Sequence, residues 1–167
     1  MSGFPDFLTR ERPPQRVLRS RRVTPQELKR LLSTHAQFRQ GARGGRRAVM
    51  LRCDLSGLDL QGVDLSGADI IECDFSDADL SHAKLENATL AGCRFENSRL
   101  QAANLSGANL SRSDFKKADL RGTDLADADL SGVSLGMARF GESPQSGLPT
   151  NIDTRALDRA MMQRKRH

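Results

Sequence analysis

The chain has 167 residues and a mass of 18.4 kDa, 37% of it hydrophobic by residue, which suits one ordinary domain and is too little for two. It has no Trp, no Tyr and seven Phe, so a core built on large aromatic anchors is excluded, and three Cys are too few and too odd for a disulfide scaffold, which favours a reducing compartment. The formal charge of +5 hides a division: residues 1–52 hold 13 Lys/Arg against 3 Asp/Glu (+10), residues 53–141 hold 8 against 15 (−7), and residues 142–167 hold 5 against 3 (+2).

Residues 1–23 form the first segment, a basic arm. Its opening, Met1-Ser2-Gly3-Phe4-Pro5-Asp6, lacks the charged-then-apolar pattern of an export signal. No apolar run approaches the ~18 residues that cross a bilayer, so no membrane span and a cytoplasmic location are expected. Pro5, Pro13 and Pro14 in a highly charged stretch read as a disordered arm. Arg10, Arg12, Arg16, Arg19, Arg21 and Arg22, with Arg43, Arg46 and Arg47 further on, are the candidate residues for binding a polyanion or another acidic partner, because the guanidinium fork suits planar, bidentate anions. Only Phe4, Phe7 and Phe38 offer aromatic platforms there, so any nucleic-acid contact is expected to be electrostatic and non-specific.

Residues 24–49 read as a capping helix and an elbow. Thr24-Pro25-Gln26-Glu27 has the form of a capping box with Pro at the first helical position. Leu28, Leu31, Leu32, His35 and Phe38 follow at helical spacing, and Gly41 can close the C-terminal end. The spacing predicts a helix over 25–40. Residues 41–47, Gly-Ala-Arg-Gly-Gly-Arg-Arg, lack the ending of a phosphate loop and do not follow a strand; they read as a flexible elbow that can also contribute to an anion-binding head.

Residues 50–141 are an internal repeat. From Leu55 in steps of five, all 18 positions to Phe140 are Leu, Ile or Phe; two residues before each centre stands a small or modest apolar residue, Ala at nine of the 18 sites, and the residue before the centre is usually Asp or Asn. A period of five fits neither regular element. On a helix it advances 140° off register at each step, and on a flat strand an odd period alternates faces. A chain that turns a corner every five residues does bury these side chains together. Cys53, Cys73 and Cys93 recur every 20 residues, as do Phe75, Phe95 and Phe115, so like residues stack on one side of a four-sided coil.

On these residues the segment resembles the pentapeptide-repeat family. The resemblance implies an all-β solenoid, a right-handed quadrilateral β-helix of about 4.5 coils, only ~22 Å long at the usual strand spacing, with the centre residue and the one two before it facing inward. Glu27, Leu28, His35 and Phe38 followed by Gly45, Arg46 and Ala48 are also similar to the helix-and-entry layout of bacterial members. Each coil touches only its neighbours, so both ends need lids. The helix over 25–40 is the first lid. Residues 142–167 form a linker, read as mobile up to Pro149, and a helix over 151–163 with a basic tail; Ile152, Ala156, Leu157, Ala160 and Met161 share one side. That helix serves either as the second lid or as the contact of a two-fold dimer, leaving a monomer or a dimer open.

Chemistry is sparsely represented. Asp54, Asp59, Asp64, Asp69, Asp74 and Asp79 repeat one environment, where a short side chain satisfies turn backbone groups, whereas an acid/base pair needs two different environments. The Cys column continues as Ser113 and Val133, so it reads as compact filler. His35, His82 and His167 fall in unrelated segments without metal-ligand spacing. No catalytic residue, metal or cofactor is expected. The expected function is non-catalytic binding or scaffolding through the surface of a rigid rod and the basic arm, with a protein partner. The alternative comes from the resemblance, because fluoroquinolone-resistance members of the family mimic a DNA duplex and occupy the DNA site of gyrase. The −7 body fits that alternative; the short rod and the basic pairs Arg94/Arg99 and Lys116/Lys117 do not.

Overall fold

The structure, a computed structural model of the chain, describes residues 17–144, 147 and 149–162. Backbone pairing sets the architecture. Residues 20 apart form parallel bridges along four walls: Asp54–Asp74–Arg94–Asp114–Ser134, Asp59–Asp79–Arg99–Asp119–Arg139, Asp64–Lys84–Asn104–Asp124 and Asp69–Thr89–Asn109–Asp129. A revolution therefore takes four five-residue edges. Leu105 N–H donates to the Asp124 carbonyl at 2.7 Å and Asn104 N–H to the Ala83 carbonyl at 2.9 Å, and the same pair of bonds recurs from coil to coil.

Each edge is extended until its last residue, which turns the corner in the left-handed region, as at Glu72 (φ 54°), Asp77 (61°), His82 (59°) and Asn87 (54°). This one left-handed residue in five is what converts the repeat into a coil. It throws each centre residue inward: Leu55, Leu60, Leu65, Ile70, Leu80 and Leu105 have no exposed surface, and Ala68, Ala83 and Ala108 pack beside them. Phe75, Phe95 and Phe115 stack face over face, with ring centroids 5.1 and 4.6 Å apart. Full burial of one such side chain contributes on the order of 1.5–3 kcal/mol.

Among the described residues, only one wall extends pairing into continuous strands. β1 (Leu18–Arg19), β2 (Val49–Leu51) and β3 (Asp69–Ile71) form a parallel sheet in the order β1-β2-β3, with Leu18 opposite Met50 and Met50 opposite Ile70. Here the structure departs from the expectation of a disordered arm up to residue 23. Arg22 bridges Asp54, Val23 N–H donates to the Asp54 carbonyl at 2.9 Å, and Leu18 and Val23 are buried. The physical reason is an end effect. Met50 and Leu55 would otherwise leave their outer sides bare, and residues 18–23 supply a partial extra rung over them.

α1 (Pro25–Arg39) completes the lid. Thr24 Oγ1 accepts from Glu27 N–H at 3.3 Å, and a Glu27 carboxylate oxygen accepts from Thr24 N–H at 3.2 Å, closing the capping box. Leu28 and His35 are its buried residues, while Leu31 and Leu32 pack partly buried against the core. The elbow differs from the flexible one expected. Ala42 N–H donates to the Gln37 carbonyl (2.8 Å), Gly45 N–H to Ala42 (3.1 Å) and Arg46 N–H to Thr34 (2.9 Å), so the segment is tied back onto the helix.

At the other end, α2 (Thr154–Met162) begins three residues later than expected, because Asn151 is used in a rung. Asn151 bridges Asp124, its N–H donates to the Thr123 carbonyl at 2.9 Å, and its own carbonyl accepts from Leu125 N–H at 2.7 Å. Ala160 is buried, and Ile152, Ala156 and Leu157 pack against the core. The described part of the linker is also anchored rather than free. Ser143 is buried, and Thr150 Oγ1 donates to the Leu120 carbonyl at 2.6 Å.

Candidate functional site

The N-terminal end carries the largest excess of positive over negative charge. Among residues 17–52 stand ten Lys/Arg and a single acid, Glu27. Of the candidate arginines, Arg10, Arg12 and Arg16 lie outside the described residues. Arg19 is exposed at the end of β1. Arg21 donates to Glu27 Oε1 at 2.6 Å, and Arg22 lies 3.5 Å from an Asp54 carboxylate oxygen. Arg43 is exposed in the elbow. Arg46 and Arg47 enter a groove of about 810 Å³ between the flank of α1, the elbow and Leu18. The structure thus brings two of the six described candidates, Arg46 and Arg47, into one concavity and leaves Arg19, Arg21, Arg22 and Arg43 outside it.

Two further cations line that groove, Lys29 and Arg30, with Gln26, Ser33 and Thr34 beside them on α1. Sequence reasoning missed them, although these residues recur at i, i+3, i+4 and i+7 opposite the buried stripe, which is the signal of a separate helix face. The floor is apolar: Leu18, Leu31 and Ala48. Glu27 also lines the groove. Hydrogen bonds from the Thr24 backbone and hydroxyl, with Arg21 nearby, hold its carboxyl below the ordinary 4.5 despite opposing desolvation.

His35 fixes the groove wall from behind. Ala48 N–H donates to His35 Nδ1 at 3.1 Å, which places the ring proton on Nε2, and Nε2–H donates to the Ser66 carbonyl at 3.1 Å. The ring has no exposed surface, and burial holds its pKa below the ordinary 6.5. The Ser66 carbonyl and Asp64 oppose that shift, while Arg39 and Arg47 add to it. One neutral ring therefore joins helix, coil entry and first coil. Phe38 stacks on it at 6.0 Å between centroids, and the Arg47 guanidinium lies 5.7 Å from the Phe38 ring centre.

The body carboxylates behave alike. Asp54, Asp74, Asp79 and Asp129 each accept the backbone N–H two residues on, at 2.9 to 3.0 Å. The hydrogen bond from the Ser56 hydroxyl lowers the Asp54 pKa, and that from the Ser131 side chain lowers Asp129. At Asp119 burial pushes upward and is outweighed by the Arg121 guanidinium, which donates to both carboxylate oxygens at 2.8 and 2.6 Å. No described carboxylate with a resolved shift is raised. The cysteines are free and buried, and burial pushes the Cys73 thiol up to about 12. Their column does more than fill space. Cys93 Sγ donates to the Ile70 carbonyl at 3.3 Å, as Ser113 Oγ does to Leu90 at 2.8 Å; on another wall Thr123 Oγ1 makes the equivalent bond to Leu100 at 2.7 Å. Among the described residues, no group of three or more His, Cys, Asp or Glu could hold a metal ion, and no helix is long and apolar enough to cross a membrane.

Residues 48–125 and, overlapping them, 68–143 match the family model described as Pentapeptide repeat region, together more than half of the chain. The chain belongs to the pentapeptide-repeat family. Membership implies a right-handed β-helix, in keeping with the four-walled pairing. Among solved structures, HetL, a pentapeptide repeat protein involved in heterocyst differentiation regulation in Nostoc sp. strain PCC 7120, is 38% identical with a TM-score of 0.50, over 52% of this chain and 40% of that one. The chain thus spans less than half the length of HetL. A pentapeptide repeat protein of Cyanothece 51142 is 25% identical with a TM-score of 0.55, over 74% of this chain and 80% of that one. A plasmid-mediated fluoroquinolone resistance protein is 19% identical with a TM-score of 0.30, over 70% of this chain and 67% of that one. No curated protein sequence matches.

Proposed function

We propose that this pentapeptide-repeat protein is a non-catalytic binding module whose basic N-terminal end, arm included, docks an acidic protein partner while the coil serves as a rigid mount. The observation that carries the reading is the concentration of ten Lys/Arg against one acid in residues 17–52, next to a body of net charge −7. Such a division steers an acidic partner to one end and repels it from the walls. A non-catalytic role is supported by Asp54 and Asp129, far apart in the repeat, which share one turn-stabilising environment and a lowered pKa. The buried Cys73 thiol, held at about 12, is a poor nucleophile.

The gyrase-inhibitor alternative has less support. A duplex mimic needs uninterrupted acidic walls, and here basic partners stand against them: Arg94 lies 3.8 Å from Asp74, Arg99 lies 3.4 Å from Asp79, and Lys117 lies 3.9 Å from Glu96. An unchanged supercoiling rate with micromolar protein is expected.

Affinity capture from native cells tests the leading reading. A partner held by the full chain should be acidic and should elute as salt rises. It should be lost to a chain carrying Lys29→Glu, Arg30→Glu and Arg43→Glu. A partner retained equally by that variant would remove the basic end from the interaction.

A further inference from the structure

The groove on the flank of α1 has a chemistry that charge alone does not explain. Leu18, Leu31 and Ala48 form an apolar floor, and Lys29, Arg30, Arg46 and Arg47 form a basic rim. A surface meant only for a polyanion backbone would gain nothing from that floor, since phosphate and polyacid chains offer it no apolar group to bury. Its volume of about 810 Å³ lies in the range of recognition pockets. The α1 residues along it, Gln26 to Thr34, span ~12 Å of helix axis, the length of about two turns of a second helix.

Resting on the reading that the basic end is the docking end, we infer that this groove takes a short acidic amphipathic helix of a partner protein. Its apolar residues at i, i+3 or i+4, and i+7 would lie on Leu18, Leu31 and Ala48, with Glu or Asp on its flanks facing Lys29 and Arg30, while Arg47 is held 3.2 Å from Asp69. Helix-in-groove recognition requires these two features together: a hydrophobic seam for affinity and a charged margin for register. The wall is rigid where the peptide would lie. The Arg46 backbone is tied to Thr34 and the Ala48 N–H to His35, so binding would cost little ordering of the protein.

The test uses the full chain and synthetic peptides of about two to three helical turns. One carries Leu at helical spacing among Glu, the second has the same composition with the Leu spacing scrambled, and the third is oligoglutamate. Duplex DNA and vesicles containing an anionic phospholipid complete the set. Fluorescence anisotropy should give the patterned peptide an affinity at least about tenfold above the scrambled one. Lys29→Glu with Arg30→Glu, at exposed positions of α1, should weaken it by about tenfold or more without changing the circular dichroism. In a ¹⁵N-labelled chain the amides that shift should be those of residues 26–34 and 44–48. Equal binding of patterned, scrambled and oligoglutamate peptides would overturn the amphipathic-helix assignment while leaving the basic end as a docking end. No salt-sensitive binding to any acidic peptide would overturn both, and preferential binding of DNA or vesicles would replace the proposed partner.

Discussion

Ala102 turns a corner at φ 55°, where most corners carry Gly, Asn or Asp. An L-residue with Cβ pays roughly 1 kcal/mol there, part of which glycine returns as unfolded-state entropy. Ala102→Gly is therefore expected to raise the urea midpoint slightly, by up to about 1 kcal/mol in stability; a loss of stability would show that the methyl group packs more than the corner costs. His35 gives the residue-scale pH dependence. Its folded pKa is depressed, so the unfolded chain takes up a proton first as pH falls through 6.5, and acidification from there favours unfolding until the folded ring also protonates. Urea midpoints should fall between pH 7.5 and pH 5 in the native chain and less steeply in His35→Gln; equal slopes would contradict a buried neutral imidazole. At this scale the sequence was informative wherever the cause is local. The Asp-to-backbone turns follow from one residue and its neighbour two on. The tautomer of His35 was not legible, because its partners Ala48 and Ser66 are set by the winding of the chain.

At the scale of elements, the lid helix α1 was legible because its capping box is written within four consecutive residues, Thr24 to Glu27. The rung beneath it was not. Leu18 and Val23 are spaced by five like the repeat, but Leu18 lies over Met50, 32 residues on, because α1 and the elbow intervene in place of a wall. The period of 20 is therefore broken where it first applies. The elbow misled in a different way. Glycine there reads as flexibility, yet a Cβ at Gly45 would come within 2.2 Å of Phe38 N and 2.4 Å of Gln37 C, atoms of the helix backbone. Glycine is present for close approach. Gly45→Ala should push elbow and helix apart and cost about 2 kcal/mol or more, lowering the Tm, whereas Gly44→Ala meets no atom within 4 Å but pays at φ 88°. A Gly45→Ala chain with native Tm would refute the close packing.

For the whole molecule, the two ends differ in kind. One is covered by α1 and a partial rung amid positive charge, the other by α2 with Ala160 buried against the last coil. Removing residues 1–16 should weaken binding to polyanions. Removing 1–23 uncovers Met50 and Leu55 and should lower the Tm by several degrees, at roughly 4 °C or less per kcal/mol for a chain of this size; equal Tm values for the two truncations would contradict the partial rung. The division of charge between basic end and acidic coil was legible from counting alone, but its convergence on a groove was not, since Lys29 and Arg30 meet Arg46 and Arg47 only after the elbow folds back. Hydrogen exchange of the full chain with its captured partner tests the working end most directly. New protection should be confined to residues 1–48, strongest over 26–34 and 44–48. Protection along the Asp54–Ser134 or Asp64–Asp124 wall, with the N-terminal end unchanged, would contradict it.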